Sequence, residues 1–265
     1  MEYNRQETII CWNINTVRNS YNQANLQSLV DLERPAVICL QETRHFVDKD
    51  NKPTFVLNGY EPHHQPPYLV GDGGMRRGLI TFVRFGIHCD VVSNPSGVSD
   101  RDCLITRIRL NKTPLDICNV YRPSDISDYT ISKLFNKDKS VIVCGDLNGH
   151  HPLWGNSDTV ADAYGSFLFN DLVNNVNITL ISDSRPTFGR GNTTIDLVMS
   201  SANIAARVDL DVLVKYKDTK DHYPLVISFD PNYSKRDDVP SNTRWDLIIS
   251  MLIGPSSRVV HFHTY

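Results

Sequence analysis

Short apolar runs recur from one end of the chain to the other, and chemically capable polar residues stand directly beside several of them. Thr8–Trp12 runs into Asn13 and Asn15, Ala36–Leu40 into Gln41 and Glu42, and Val141–Cys144 into Gly145-Asp146-Leu147-Asn148, while Asp221-His222 precedes Tyr223–Phe229. Runs this short, rich in β-branched residues, read as buried strands. Polar residues at their ends are what a sheet core with a site on its rim requires.

Elements between these runs complete the pattern. Tyr21–Glu33 carries Leu26, Leu29 and Val30 at helical spacing, Ala161–Asn175 carries Phe167, Leu168, Leu172 and Val173, and a third helix is expected over Asp128–Phe135. Further strands are expected at Leu79–Val83, Cys103–Leu110, Leu115–Tyr121, Ile178–Ile181, Thr194–Met199 and Ala206–Val214, with Pro114 marking a tight turn between an antiparallel pair. Mixing βαβ units with hairpins points to an α/β protein whose mixed sheets pack together under helices, not to a simple parallel wound sheet. One domain over residues 5–230 is expected, followed over 231–265 by a polar, turn-rich linker and a tail whose one apolar piece is Trp245–Ile253.

At 265 residues, with 40% hydrophobic and 22% charged, the chain has material for a substantial core. Its formal net charge of −3 gives no bulk sign of a nucleic-acid binder, although a bound divalent cation adds local positive charge that the total omits. The six cysteines lack zinc-finger spacing with one another or with histidine, and most lie in apolar runs, so they are expected to be reduced, buried thiols of an intracellular protein. No stretch is long and apolar enough for a membrane span, and the first residues carry no apolar signal region.

Taken singly, an Asn or Asp after a strand is a turn former. Together the strand ends supply carboxylates, amides, an Asp-His pair and a tyrosine, the inventory of metal-assisted hydrolysis. Glu42 suits a hard cation such as Mg2+, and no soft-ligand site is expected to compete with it. Asp146 and Asn148, two apart on an extended segment, can share a face. Asp196 lies within an otherwise apolar strand and needs a partner, for which His222 is suited because a carboxylate fixes an imidazole's tautomer. His150 and His151 are not expected to share a metal, because adjacent side chains on an extended segment point apart.

Six segments in this order resemble the motifs of the endonuclease/exonuclease/phosphatase superfamily: Trp12-Asn13-Ile14-Asn15, Leu40-Gln41-Glu42-Thr43, Asn119-Val120-Tyr121-Arg122-Pro123, Gly145-Asp146-Leu147-Asn148, Thr194-Ile195-Asp196-Leu197 and Asp221-His222-Tyr223-Pro224-Leu225. The run Gly149-His150-His151-Pro152-Leu153-Trp154-Gly155, with Pro186-Thr187-Phe188, looks like the apurinic-like endonuclease of insect-type LINE (non-LTR) retrotransposons.

The resemblance implies a four-layer, deoxyribonuclease I-like sandwich of two face-to-face sheets between helices. It implies Asn13 and Glu42 at the metal end, with Mg2+ or Mn2+ as cofactor. Tyr121, Asn148 and His222 would contact phosphate, Asp146 or His222 would activate water, Asp196 would pair with His222, and Asp221 would precede it. Double-stranded DNA would be the substrate, nicked to leave a 3′-hydroxyl that primes reverse transcription.

The implied protein is nuclear after synthesis in the cytoplasm, a monomer, and associated with a reverse transcriptase region if part of a longer polyprotein. Arg190 and Asn192, in a glycine-flanked hairpin tip, are candidates for the DNA minor groove, and Arg76 and Arg77 for phosphate contacts. Lys220, standing where the family has Ser or Gly, is a further candidate for phosphate. Abasic-site repair nucleases, inositol phosphatases and sphingomyelinases share the core motifs, and a decayed copy that binds DNA without cutting it is the alternative from a different class.

Overall fold

The computed structural model describes residues 6–69, 75–111, 113–126, 129–156, 158–182, 185–214 and 221–232. In chain order the elements are β1 (Glu7–Asn13), α1 (Ser20–Glu33), β2 (Val37–Gln41), β3 (Tyr60–Gln65), β4 (Tyr68–Leu69), β5 (Met75–Arg76), β6 (Leu79–Arg84), β7 (Cys89–Val92), β8 (Cys103–Leu110) and β9 (Thr113–Tyr121). They continue with β10 (Val141–Asp146), α2 (Ala163–Val173), β11 (Ile178–Leu180), β12 (Asp196–Ser201), β13 (Val208–Val212) and β14 (Leu225–Phe229). Two six-stranded sheets result, in the orders β13-β14-β1-β2-β6-β3 and β11-β12-β10-β9-β8-β7, and β4 and β5 pair as a separate ribbon. Each large sheet has one parallel pair, β1 with β2 and β9 with β10, flanked by antiparallel neighbours.

Side-chain alternation builds the layers. On β1, Ile9 and Cys11 face the second sheet, whereas Ile10 and Trp12 face Leu26, Leu29 and Val30 of α1. On β10, Ile142 and Cys144 face the first sheet, whereas Val141 and Val143 pack with Tyr164, Leu168 and Leu172 of α2. Both faces of the central strands are therefore buried, which is why they read as continuous apolar runs. The expected arrangement of two sheets between helices is the one observed. Asn19 opens α1 by accepting from the Tyr21 amide, and Arg34, at φ 46°, closes it.

Two expectations need correction. Only one 3-10 turn, Ser132–Leu134, forms within the helix expected at Asp128–Phe135, whose first residue lies outside the described set. Tyr129, Ile131 and Leu134 are all buried against the outer side of the second sheet, a spacing that no single helix face provides. The edge strands β3 and β7 went unread because Tyr-Glu-Pro-His-His-Gln and Cys-Asp-Val-Val lack an apolar run. Polar residues and proline are the ordinary equipment of an edge. The tail, from residue 233 on, lies outside the described residues.

Gly145 draws two strands of one sheet together, and a buried amide pair joins the two sheets. Gly145 has φ 154°, and a Cβ there would stand 1.8 Å from the Val120 carbonyl oxygen on β9, so no side chain fits. Inside the sandwich Gln41 of the first sheet donates from Nε2 to Asn119 Oδ1 of the second at 2.7 Å. Asn119 Nδ2 in turn donates to the Leu40 and Ile80 carbonyls and to Thr81 Oγ1 at 3.1–3.2 Å. Both residues are fully buried, so each lost bond leaves a dry polar group unpaired. Asn119→Ala is therefore expected to destabilise the protein by about 2–4 kcal/mol with an unchanged denaturant slope, read by urea unfolding. A loss under about 0.5 kcal/mol would show that the clasp is dispensable.

Candidate active site

The two parallel pairs bring their carboxyl ends to the same rim. In the first sheet Asn13 is in register with Gln41, and Glu42 follows at φ 49° as the chain turns out of β2. In the second, Asp146 is in register with Tyr121 on one side and Asp196 on the other. Because β12 and β14 run antiparallel to their neighbours, they contribute residues from their beginnings, Asp196 at the start of β12 and His222 just before β14. Trp12 Nε1 donates to the His222 carbonyl at 2.9 Å and ties that segment to the end of β1.

Asn13 bridges the sheets, its Nδ2 donating to Asp146 Oδ2 at 2.9 Å and to Glu42 Oε1 at 3.2 Å. Glu42 Oε2 accepts from Arg44 Nη2 at 2.6 Å. Burial alone would raise this carboxyl, but bonds from Arg44, Asn13 and Tyr121 outweigh it and hold Glu42 below its ordinary range. His222 Nδ1 lies 2.8 Å from Asp196 Oδ2, while its Nε2 faces Asp146 Oδ2 at 3.7 Å and Asp221 Oδ1 at 3.8 Å. Despite burial, the three carboxylates push His222 up to about 10, Asp196 foremost among them. Burial, with Asp196 next to it, pushes Asp146 up to about 7. Burial, then the neighbouring Glu42 and Asp146, raises Tyr121, so its hydroxyl stays protonated.

Several supports were missed or left without a role. Asn15 Nδ2 donates to Asp221 Oδ2 at 2.5 Å, so the second Asn of the first motif belongs to the site. Thr187 Oγ1 accepts from the backbone of Ile195 and Asp196, and the Thr187 carbonyl accepts from the Tyr223 amide at 2.7 Å, so Pro186-Thr187-Phe188 positions both members of the Asp196–His222 pair. Arg122, 3% exposed, donates to the carbonyls of Leu147, Asn148 and Ile126 and lies 3.7 Å over the Tyr164 ring. Asn148, at φ 46°, returns a bond from Nδ2 to the Arg122 carbonyl. The His-His-Pro-Leu-Trp-Gly run is an anchor. His151 stacks on Phe169 of α2 with ring centroids 4.5 Å apart, and buried Trp154 donates to the Gly149 carbonyl.

The basic candidates divide. Arg190 and Asn192 are exposed at the tip of a tight turn closed by the Phe188–Thr193 bridge, and Arg76 is exposed on β5. Arg77 is ion-paired with buried Asp102 and lies 5.2 Å over the Tyr68 ring, so it braces the ribbon rather than offering a loose charge. Lys220 lies outside the described residues.

The donor set fits a hard divalent cation. Two carboxylates from different sheets, Glu42 and Asp146, converge on one small amide group, and oxygen is what Mg2+ or Mn2+ takes. Asn13 presents its amino group to both, while its Oδ1 accepts from the Asn15 amide, so here it is a bridge and its oxygen is turned away from Glu42. Asp146, Asp196 and His222 form a second group with ligand atoms within 4.8 Å of one another, in which His222 Nδ1 is already committed to Asp196.

Residues 115–235 match the family model described as endonuclease-reverse transcriptase. No curated protein matches the sequence. Among solved structures, the endonuclease domain of TRAS1, a telomere-specific non-LTR retrotransposon, matches with a TM-score of 0.66 at 16% identity, covering 85% of this chain and 98% of that one. The AP endonuclease LMAP from Leishmania major matches with a TM-score of 0.65 at 17% identity, over 85% of this chain and 88% of that one. An AP endonuclease from Archaeoglobus fulgidus matches at 0.59 and 17%, over 84% and 99%. Residues 115–235 thus resemble the endonuclease-reverse transcriptase family, and the fold is the deoxyribonuclease I-like one of these solved structures. The matched stretch contains the last four of the six motifs, from Asn119-Val120-Tyr121-Arg122-Pro123 to Asp221-His222-Tyr223-Pro224-Leu225.

Asp146 and His222 both hold a proton more tightly folded than unfolded, toward about 7 and about 10 against ordinary values near 3.9 and 6.5. The sign follows: their stabilisation is complete below the unfolded values and is lost as pH rises through the folded ones. The thermal midpoint in EDTA is expected to fall between about pH 4 and about pH 10, with a smaller fall in Asp146→Asn. An equal fall in both proteins would assign it to other groups.

Proposed function

We propose that the protein is a divalent-metal-dependent endonuclease that nicks double-stranded DNA and leaves a 3′-hydroxyl to prime reverse transcription for a LINE-type retrotransposon. The observation that carries this reading is a buried carboxylate, Asp146, held between an amide from the other sheet and an imidazole fixed by a second buried carboxylate.

In the proposed reaction a water oxygen attacks phosphorus in line and the bond from phosphorus to the 3′-oxygen breaks. Asp146 takes the water's proton, and its raised pKa suits it to a base working near neutral pH. His222, kept charged by Asp196, stabilises the negative charge gathering on the non-bridging oxygens, with the Asn148 amide, fixed through Arg122, as a further donor. The departing 3′-oxygen ends as a hydroxyl by taking a proton from solvent or His222. A divalent cation on Glu42 supplies positive charge at the phosphate when bound.

Arg190, Asn192, Arg76 and Lys220 are assigned to DNA backbone or minor-groove contacts. A reverse transcriptase region in a longer polyprotein, and work in the nucleus as a monomer, belong to the same proposal.

Nicking of supercoiled plasmid tests it. Wild type is expected to convert plasmid to open circle with Mg2+ or Mn2+ and not with EDTA, and Glu42→Ala, Asp146→Ala and His222→Ala to lose at least about a hundredfold in rate. No nicking by folded wild type with any divalent ion would overturn the reading, as would cleavage confined to abasic DNA, which would make the protein a repair-type nuclease.

A further inference from the structure

The apolar interior between the sheets ends, at one side of the sandwich, in a polar group of mixed chemistry. Strands β3 and β7 are the edge strands of the two sheets. Glu61 and His63 are in register with Val83 and Thr81 of β6, and Cys89 is in register with Ile108 of β8. Val83 and Ile108 belong to the core between the sheets, so the three positions lie on the inward faces of their strands, where apolar residues would ordinarily close the sandwich, with His63 and Cys89 half-buried and Glu61 exposed at the edge. Instead a carboxylate, an imidazole and a thiol meet there, their ligand atoms all within 4.8 Å of one another.

Their spacing has a specific meaning. His63 Nε2 lies 3.2 Å from Cys89 Sγ, which lies 3.8 Å from Glu61 Oε2. In a tetrahedral zinc site with bonds of about 2.3 Å to sulfur and about 2.0 Å to nitrogen or oxygen, neighbouring ligand atoms stand about 3.5 Å apart. Both contacts of the sulfur lie within about 0.3 Å of that spacing, which puts Cys89 at the centre of the group. We propose that Glu61, His63 and Cys89 form a zinc site that joins the edges of the two sheets, with water as the fourth ligand.

The chemistry of the three side chains agrees. Burial holds the His63 imidazole below its ordinary range, so it is neutral and able to ligate. Burial and the adjacent Glu61 push the Cys89 thiol up to about 11, so it is a neutral thiol that must give up its proton to ligate. On binding, the Sγ–H bond breaks, its proton leaves to solvent and a sulfur–zinc bond forms. Sulfur and imidazole discriminate against Mg2+, so this site and the hard-oxygen site at Glu42 do not compete for one metal.

Cobalt(II) in place of zinc tests the site, because thiolate ligation gives a charge-transfer band that oxygen and imidazole ligands do not. Full-length protein is expected to show the band at a single equivalent of Co2+, with displacement by Zn2+ and none by Mg2+, and to lose it in Cys89→Ser and His63→Ala. A measurement on unaltered protein stands beside this. Cys89 is the one partly exposed cysteine of the six, so Zn2+ should block its alkylation, mapped by mass spectrometry, while Mg2+ should not. Absence of the band from folded wild type, its persistence in Cys89→Ser, or alkylation indifferent to Zn2+ would each overturn the proposal.

Discussion

Everything at the rim depends on the buried amide pair Gln41–Asn119, which marks where the dry interior stops and polar chemistry begins. Below it, inward positions of the two central strands that carry the pair are apolar: Val37 and Cys39 on β2, Leu115 and Ile117 on β9. Directly above it, β2 passes into Glu42 and β9 ends in Tyr121. Sheets packed only by apolar side chains can slide, whereas a side-chain bond of fixed length between opposing strands cannot. The clasp thus sets the height of the first sheet's carboxylate against the second sheet's Asp146, and Asn13 needs that alignment to reach both.

Burial of both strand faces then decides what kinds of group can work there. A carboxylate at the end of a doubly covered strand is dry, and it is tolerable only if bonded or protonated. Asp146 and Asp196 face each other across adjacent strands with His222 beside both, so one imidazolium offsets two carboxylates. Partial neutralisation leaves Asp146 able to accept a proton near neutral pH, which neither an exposed aspartate nor a fully ion-paired one would do. Glu42, half-buried and bonded to Arg44, is pushed the other way and stays ionised. Two carboxylates joined by one amide are thus made unlike by their surroundings, a division suited to a proton acceptor and a cation ligand.

How much of this the sequence disclosed depended on burial. Strands covered on both faces, such as Val141–Asp146, announce themselves by apolar runs, and the residues following them were legible as a site because no packing reason explains them. The Asp196–His222 pairing followed from the cost of a lone carboxylate in an apolar strand. Residues that act through the backbone carried no such signal. Thr187 and Arg122 stand in segments that the resemblance picked out, but their duty, accepting from amides and donating to carbonyls, is not written in the residue type. Edges were least legible of all. Glu61, His63 and Cys89 meet only because β3 and β7 lie at the same side of two sheets, and 26 residues of chain separate the histidine from the cysteine.

The overall charge of −3 takes on a definite meaning against this geometry. Four carboxylates, Glu42, Asp146, Asp196 and Asp221, stand at the rim, offset on the same rim by Arg44 and by the charged His222. A polyanionic strand brought to such a rim meets four carboxylates against two cations, with further positive charge exposed farther out at Arg190 and Arg76. On the proposed reading, outlying basic residues set where DNA lies, and a divalent cation held by Glu42 lets a phosphate approach Asp146. Binding of DNA and of metal are then coupled through one electrostatic balance, and each favours the other by the same free energy.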